Sequence, residues 1–198
     1  MDWYEDEVRG LERRLAENPP PDGVVAFYGS SSVRMWDSLA DDFPDLPVVN
    51  LGFGGSTLAA CAHFHDRLVG PLSPRSLLIY AGDNDLGDGH SPEDVLASLR
   101  DLLAGVDRRH PGLRVGVLSL KPSPARWHLA DRFREASALL RSEIEARSGG
   151  FWLEVFGPML GADGQPRREL FADDGLHLSV AGYRLWADLV SRHRPQFA

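Results

Sequence analysis

Five short apolar segments, separated by stretches with helical periodicity, constrain the fold of this chain more than any other feature of its sequence. Each segment is about five or six residues long, and its apolar residues run together instead of alternating with polar ones. Such runs are typical of strands that are buried on both faces of a sheet. We therefore predict five strands, at residues 24–28, 47–51, 76–80, 115–120 and 151–156.

Helical patterns fill the intervals between these segments. The clearest lies at 92–109, and the others lie at 2–18, 57–69, 126–147 and 179–193, with a weaker one at 30–43. Strands that alternate with helices form a parallel sheet, because right-handed crossovers place the helices on its two faces. The sequence thus predicts an α/β protein, a three-layer α/β/α sandwich around a five-stranded parallel sheet.

The length of 198 residues fits one domain, since domains cluster at roughly 100 to 200 residues. No repeat, linker or low-complexity segment divides the chain. We predict a single domain over residues 1–198, in which a helix within residues 1–20 docks on the body and ends before Pro19.

The formal net charge of −8 argues against nucleic acid as a partner, because DNA and RNA binding needs clustered Lys and Arg. The acidic start of the chain does not resemble a secretion signal, and no run of about 18 apolar residues suggests a membrane span. The single cysteine, Cys61, fits a reducing compartment. We expect a cytoplasmic protein without membrane association, and leave homo-oligomerisation open.

Polar residues that could carry chemistry follow the first predicted strand. Gly29, Ser30, Ser31 and Ser32 place hydroxyl groups on a strand-to-helix turn, at the carboxyl edge of the sheet where ligands bind in such folds. The N–H groups of a helix N-terminus stabilise developing negative charge. Serines in this position also cap helices without any catalytic role, so a bare serine cluster is ambiguous.

Two further segments follow the second and third predicted strands. The stretch 50–57 is rich in glycine, which lets backbone N–H groups approach a ligand, although a tight turn explains the same pattern. In the stretch 81–87, the Asn84 side chain could donate to an oxyanion. A calcium loop is disfavoured there, because Gly87 and Asp88 do not match the EF-hand pattern.

Asp174 and His177 precede the last predicted helix with Asp-x-x-His spacing. A carboxylate at this spacing can orient the imidazole and stabilise the imidazolium that forms when the ring takes a proton. The alternatives are a capping Asp on a surface loop or one His of a metal site, but neither HExxH nor CxxC spacing occurs nearby.

Taken together, these four blocks resemble the SGNH hydrolases, a superfamily named for Ser, Gly, Asn and His, and in particular its GDSL-type esterases and lipases. The resemblance spans residues 24–193. It implies strands in flavodoxin-like order, a serine hydrolase activity, and no cofactor or metal. It assigns Ser31 as nucleophile, His177 as base and Asp174 as orienting acid, with an oxyanion hole formed by Ser31, Gly55 and Asn84.

Two departures from the family pattern need attention. The usual Gly-Asp-Ser-Leu is Gly-Ser-Ser-Ser here, so Ser31 matches by its third position and Ser32 is the alternative if the turn is shifted by one residue. Asp83 also introduces a negative charge next to Asn84, which would oppose an oxyanion if it faced the site.

The expected function is hydrolysis of carboxylic esters of small molecules. Carbohydrate deacetylase, thioesterase and lysophospholipase activities are alternatives with the same fold, and a non-catalytic ligand-binding domain is a further one. The α/β-hydrolases are disfavoured, because their Gly-x-Ser-x-Gly nucleophile motif is absent.

Overall fold

The computed structural model describes all residues, 1–198. Five strands form one parallel sheet in the order β2-β1-β3-β4-β5, as the α/β prediction and the flavodoxin-like order require. The strands are β1 (Val25–Gly29), β2 (Val48–Gly52), β3 (Ser76–Tyr80), β4 (Arg114–Leu118) and β5 (Gly150–Leu153). Each lies within a few residues of its predicted position.

The helices cover both faces of the sheet. They are α1 (Glu5–Glu17), α2 (Ser31–Arg34), α3 (Leu39–Asp42), α4 (Leu58–Leu68), α5 (Asp83–Gly87), α6 (Pro92–Arg109), α7 (Ala130–Ala146), α8 (Val180–Ser191) and α9 (Arg194–Phe197). None of them combines the length and the apolar character that crossing a bilayer requires.

Two hydrophobic clusters separate the three layers. Within β1, Ala26 and Tyr28 point into a cluster with α1, α4, α6 and α7, whereas Val25 and Phe27 point into a second cluster with α2, α3, α8 and α9. This alternation follows from the pleat of a strand, which sends successive side chains to opposite faces. Both faces are covered, so the strands are apolar throughout.

Two predicted helices begin differently from the sequence pattern. The segment predicted at 126–147 becomes helical only at Ala130, because Pro124–Leu129 forms a 3-10 turn in which Arg126 has non-helical backbone angles. The weak pattern at 30–43 is two short helices, α2 and α3. Helix α5 occupies a segment we predicted as a loop, since five residues are too few to show helical periodicity.

Candidate active site

Ser31 is the first residue of α2 and follows the carboxyl end of β1. A Cβ atom at Gly29 would lie 1.9 Å from the Tyr80 carbonyl oxygen, so only glycine allows β1 and β3 to come this close before the turn. Ser30 is the N-cap residue of α2, but its side chain makes no capping hydrogen bond. The turn leaves Ser31 half-buried at the surface of a cleft, while Ser30 and Ser32 are buried.

The loop before α8 brings Asp174 and His177 to this turn. His177 Nε2 lies 3.0 Å from Ser31 Oγ, and His177 Nδ1 lies 2.6 Å from Asp174 Oδ2. The other carboxylate oxygen, Asp174 Oδ1, accepts the backbone N–H groups of Leu176 at 2.8 Å and His177 at 3.0 Å. A continuous line of hydrogen bonds thus runs from Ser31 through His177 to Asp174, although Ser31 and His177 are 146 positions apart in the chain.

The charge on Asp174 fixes the direction of these hydrogen bonds. The hydrogen bond from the His177 side chain, together with those from the two backbone N–H groups, lowers the pKa of Asp174 to about 2. An ionised carboxylate only accepts hydrogen bonds, so His177 Nδ1 carries the proton that lies between them. In the neutral ring Nε2 is then the acceptor, and it faces the Ser31 hydroxyl.

The three residues that the family resemblance assigns to an oxyanion hole, Ser31, Gly55 and Asn84, all line this cleft. The backbone N–H groups of Ser31 and Gly55 donate no hydrogen bond within the protein, and Gly55 adopts a φ of +67°, which glycine tolerates. Asn84 donates one amide N–H to the Ser56 carbonyl oxygen at 3.1 Å. The second N–H of that amide is free for a ligand.

The Arg126 guanidinium determines which way the Asn84 amide faces. Both of its terminal nitrogens, Nη1 and Nη2, lie 3.0 Å from Asn84 Oδ1. A guanidinium only donates, so the amide oxygen must point towards Arg126 and the NH₂ group away from it.

Asp83 does not oppose this arrangement, because its side chain points into the protein. Its carboxylate lies 2.6 Å from Lys121 Nζ and 3.5 Å from Arg126, and both Asp83 and Lys121 are almost completely buried. Burial by itself would raise the pKa of Asp83, but the charges of Lys121 and Arg126 lower it below its ordinary value. The negative charge next to Asn84 is thus paired with cations.

Comparison with known proteins gives the family. The sequence profile of the GDSL-like lipase/acylhydrolase family matches residues 9–185. The chain belongs to that family. It is accordingly a hydrolase that acts on esters, and the resemblance to the SGNH superfamily is confirmed.

Individual relatives of this GDSL-like hydrolase are distant. The platelet-activating factor acetylhydrolase IB subunit alpha1 of Bos taurus is 26% identical over 180 residues, which are 86% of this chain and 75% of the relative. Among solved structures, a Streptococcus pneumoniae protein named after platelet activating factor has a TM-score of 0.84 at 20% identity, covering 97% of this chain and 94% of its own. A GDSL-like lipase from Bacteroides thetaiotaomicron has a TM-score of 0.77 at 18% identity, covering 96% and 98%. At such identities the two structures show the fold alone.

The cleft of the GDSL-like hydrolase has a volume of about 590 Å³, and nine of its eleven lining residues are polar, charged or glycine. Only Trp3 and Leu176 are apolar among its lining residues, and Trp3 is 85% exposed. The charged side chains in the wall are Asp6, Glu7, Arg34 and Arg126. No group of three or more His, Cys, Asp or Glu side chains that could hold a metal ion occurs in the chain.

Sequence reasoning missed several residues around the site. Lys121 and Arg126 were not selected, although both follow the carboxyl end of β4, at the edge where ligands bind. A lysine directly after a buried strand is a signal that could have suggested a buried ion pair. Trp3 and Glu7 were assigned only to a docked helix, and no local pattern connects them with the glycine-rich loop.

The alternative nucleophile, Ser32, is poorly placed. It is completely buried, and its hydroxyl has no hydrogen-bond partner. Of the three consecutive serines, only Ser31 lines the cleft.

Proposed function

We propose that this chain is a serine esterase in which Ser31 is the nucleophile, His177 the general base and Asp174 the residue that orients the base. The observation that supports it best is the hydrogen-bonded line from Ser31 through His177 to Asp174, which opens into the cleft. Nucleophile, base and orienting acid in this order are the elements of acyl transfer by a serine hydroxyl.

In the proposed mechanism, His177 Nε2 takes the Ser31 proton while Ser31 Oγ attacks the ester carbonyl carbon. The carbonyl oxygen becomes an oxyanion that accepts hydrogen bonds from the N–H groups of Ser31, Gly55 and Asn84. His177 then returns the proton to the departing alcohol, which leaves an acyl group on Ser31. Water, activated by the same imidazole, releases the acid and restores the hydroxyl.

The lining of the cleft favours esters with a short acyl group and a polar alcohol. A long acyl chain would have to displace water from the charged side chains in the wall, which is unfavourable, and only Trp3 and Leu176 offer apolar side chains for it to contact. The acetylhydrolase named among the relatives also removes an acetyl-sized group, as its name states. Deacetylation of a carbohydrate is the second candidate, because the exposed Trp3 could stack on a sugar ring beside polar groups.

The direct test combines covalent labelling with kinetics. A fluorophosphonate probe should label Ser31, as identified by peptide mass spectrometry, and Ser31→Ala and His177→Ala should lower kcat by about 10,000-fold or more. Ser32→Ala and the exposed His63→Ala are matched controls that should retain activity. Labelling at another residue, or an active Ser31→Ala variant, would refute the assignment.

A substrate panel tests the acyl and alcohol preferences separately. We expect kcat/KM to fall as the acyl chain of p-nitrophenyl esters lengthens from acetyl to palmitoyl. An acetylated sugar, an acyl-CoA and a lysophospholipid measured in parallel distinguish the deacetylase, thioesterase and lysophospholipase activities. A preference for palmitoyl esters would contradict the short-acyl proposal without affecting the assignment of Ser31.

A further inference from the structure

The first turn of α1 and the 3-10 turn before it lie against the glycine loop, which we define as residues 53–56. Trp3, Tyr4 and Glu7 make this contact. All three precede residue 9, where the match to the family begins. They are therefore a feature of this chain that the family assignment does not explain.

Two hydrogen bonds from this segment hold the peptide groups on either side of the proposed Gly55 donor. The carboxylate oxygen Glu7 Oε2 accepts the Gly54 N–H at 2.7 Å. The Tyr4 hydroxyl donates to the Gly55 carbonyl oxygen at 3.2 Å. The peptide group that carries the Gly55 N–H lies between these two fixed peptide groups.

Two consecutive glycines make such support necessary. Glycine has more backbone freedom than any other residue, so an unsupported Gly-Gly segment would sample many directions for its N–H groups. With both neighbouring peptide groups held, the backbone angles on either side of the Gly55 N–H are restricted, and the N–H has fewer directions open to it. Glu7 also lies close to Gly54, since a Cβ atom added at that position would lie 2.9 Å from Glu7 Oε1.

The same carboxylate connects the glycine loop with the helix that carries Ser31. Glu7 Oε1 lies 3.3 Å from Nη1 of Arg34, the last residue of α2. Tyr4 is anchored through edge-on ring contacts with Phe53 at 5.5 Å and Phe64 at 6.2 Å. One short segment thus contacts both elements that would supply backbone oxyanion donors.

We propose that Tyr4 and Glu7 are positioning residues that fix the direction of the Gly55 N–H in the oxyanion hole. The proposal rests on the function proposed above, in which Gly55 is an oxyanion donor. Neither residue touches the reacting atoms. Their role is to keep the donor in the geometry that the tetrahedral intermediate needs, so that no reorganisation is required during the reaction.

The experiment compares Tyr4→Phe and Glu7→Met with Glu12→Met in the full chain, because methionine keeps the length of the side chain and removes the oxygen acceptor. Tyr4→Phe keeps the ring contacts and removes only the hydroxyl. Glu12→Met is a matched control, because Glu12 holds the same helix through Arg67 at 2.8 Å but does not contact the glycine loop. Steady-state kinetics on p-nitrophenyl acetate give kcat and KM, and thermal unfolding monitors the fold of each variant.

Inhibition by a trifluoromethyl ketone separates positioning from a general effect on structure. Ser31 Oγ adds to the ketone carbon, its proton passes to His177, and the ketone oxygen becomes an oxyanion in the proposed hole. Complete loss of an oxyanion donor lowers kcat by about 100-fold or more. A donor that is only less well held should cost less, so we expect each variant to lower kcat about threefold to tenfold with KM unchanged. The inhibition constant should rise by the same factor as kcat/KM falls.

The outcomes distinguish this inference from the proposed function. Failure of the wild-type enzyme to be labelled at Ser31 would remove the proposed function and this inference together. With Ser31 labelled, an unchanged kcat in both variants would overturn the positioning role alone. An equal loss in Glu12→Met would also overturn it, since docking of α1 would then be the cause.

Discussion

The two sides of the cleft are built on different physical principles. On one side, Ser31, His177 and Asp174 are joined by hydrogen bonds between partly exposed side chains. On the other side, Asn84 is backed by Arg126, Asp83 and Lys121, of which Asp83 and Lys121 form a buried ion pair. The first side can exchange protons with substrate and water, whereas the second has a fixed charge arrangement behind its donor.

The pKa values of two carboxyl groups, Asp174 and Asp85, differ in the same way between the two sides. Hydrogen bonds lower the pKa of Asp174 to about 2 on the nucleophile side. On the other side, burial raises the pKa of Asp85 to about 6, although its carboxylate accepts the Leu58 N–H with both oxygens at 3.1 Å. We therefore expect substitutions in the line from Ser31 to Asp174 to affect mainly turnover, and substitutions of the buried charged residues behind Asn84 to affect mainly stability.

The largest expected effect is that of Asp174→Asn on turnover. The amide would hold His177 in the wrong tautomer, and we expect kcat to fall by up to about 10,000-fold while the melting temperature changes little. Steady-state kinetics and thermal unfolding measure the two quantities. Asp173→Asn, at the exposed neighbouring position, is the control. A large loss of stability in Asp174→Asn would break the contrast between the two sides.

Next in size is the effect of Lys121→Met on stability. Removing the cation leaves the Asp83 carboxylate buried beside a weaker partner, so the free energy of unfolding should fall by about 3–5 kcal/mol. Denaturant unfolding at neutral pH measures it. The exposed pair Arg100–Glu143, 2.8 Å apart, provides the control, because Arg100→Met should cost less than about 1 kcal/mol.

A double variant sharpens this prediction. Lys121→Met with Asp83→Asn removes both charges, and it should recover much of the stability that the single variant loses. If Lys121→Met is as stable as the wild type, the buried pair of Lys121 and Asp83 does not stabilise the side of the cleft that carries Asn84.

The smallest expected effect is the contribution of Asp85 to the pH dependence of stability. Its pKa in the folded protein, about 6, is above the ordinary value for Asp of about 3.9, so the folded state binds more protons between these pH values. The stabilisation that Asp85 provides by binding this proton is fully present below about pH 4. It is lost as the pH rises through 6, which lowers the free energy of unfolding by about 3 kcal/mol in total.

Unfolding free energies of wild type and Asp85→Asn between pH 4 and pH 7 test this sign. The wild type should lose stability relative to the variant as the pH rises. Asp88→Asn is the control, because Asp88 is exposed and directly follows α5. If the wild type gains stability relative to Asp85→Asn as the pH rises, burial is not the dominant influence on the pKa of Asp85.

Much of the fold is determined by local patterns in the sequence. A strand buried on both faces must be apolar throughout, and a helix must repeat its apolar residues every three or four positions, so the five strands and the long helices could be predicted. Helix α5 could not be predicted, because it is only five residues long and is fixed by its surroundings. The start of α7 was misplaced because a 3-10 turn precedes it.

The sequence alone indicated which segments meet on the nucleophile side, and the family pattern then selected Ser31 among three consecutive serines. Asp174 and His177 are three positions apart, and Ser31 follows a strand whose carboxyl end had to face the same edge of the sheet. Only the tertiary structure decided the supporting contacts of Asn84 and Gly55. Arg126 is 42 positions from Asn84, Lys121 is 38 from Asp83, and Tyr4 is 51 from Gly55. Such contacts depend on how whole elements pack, because neither the order of the strands nor a sequence motif relates these pairs of positions.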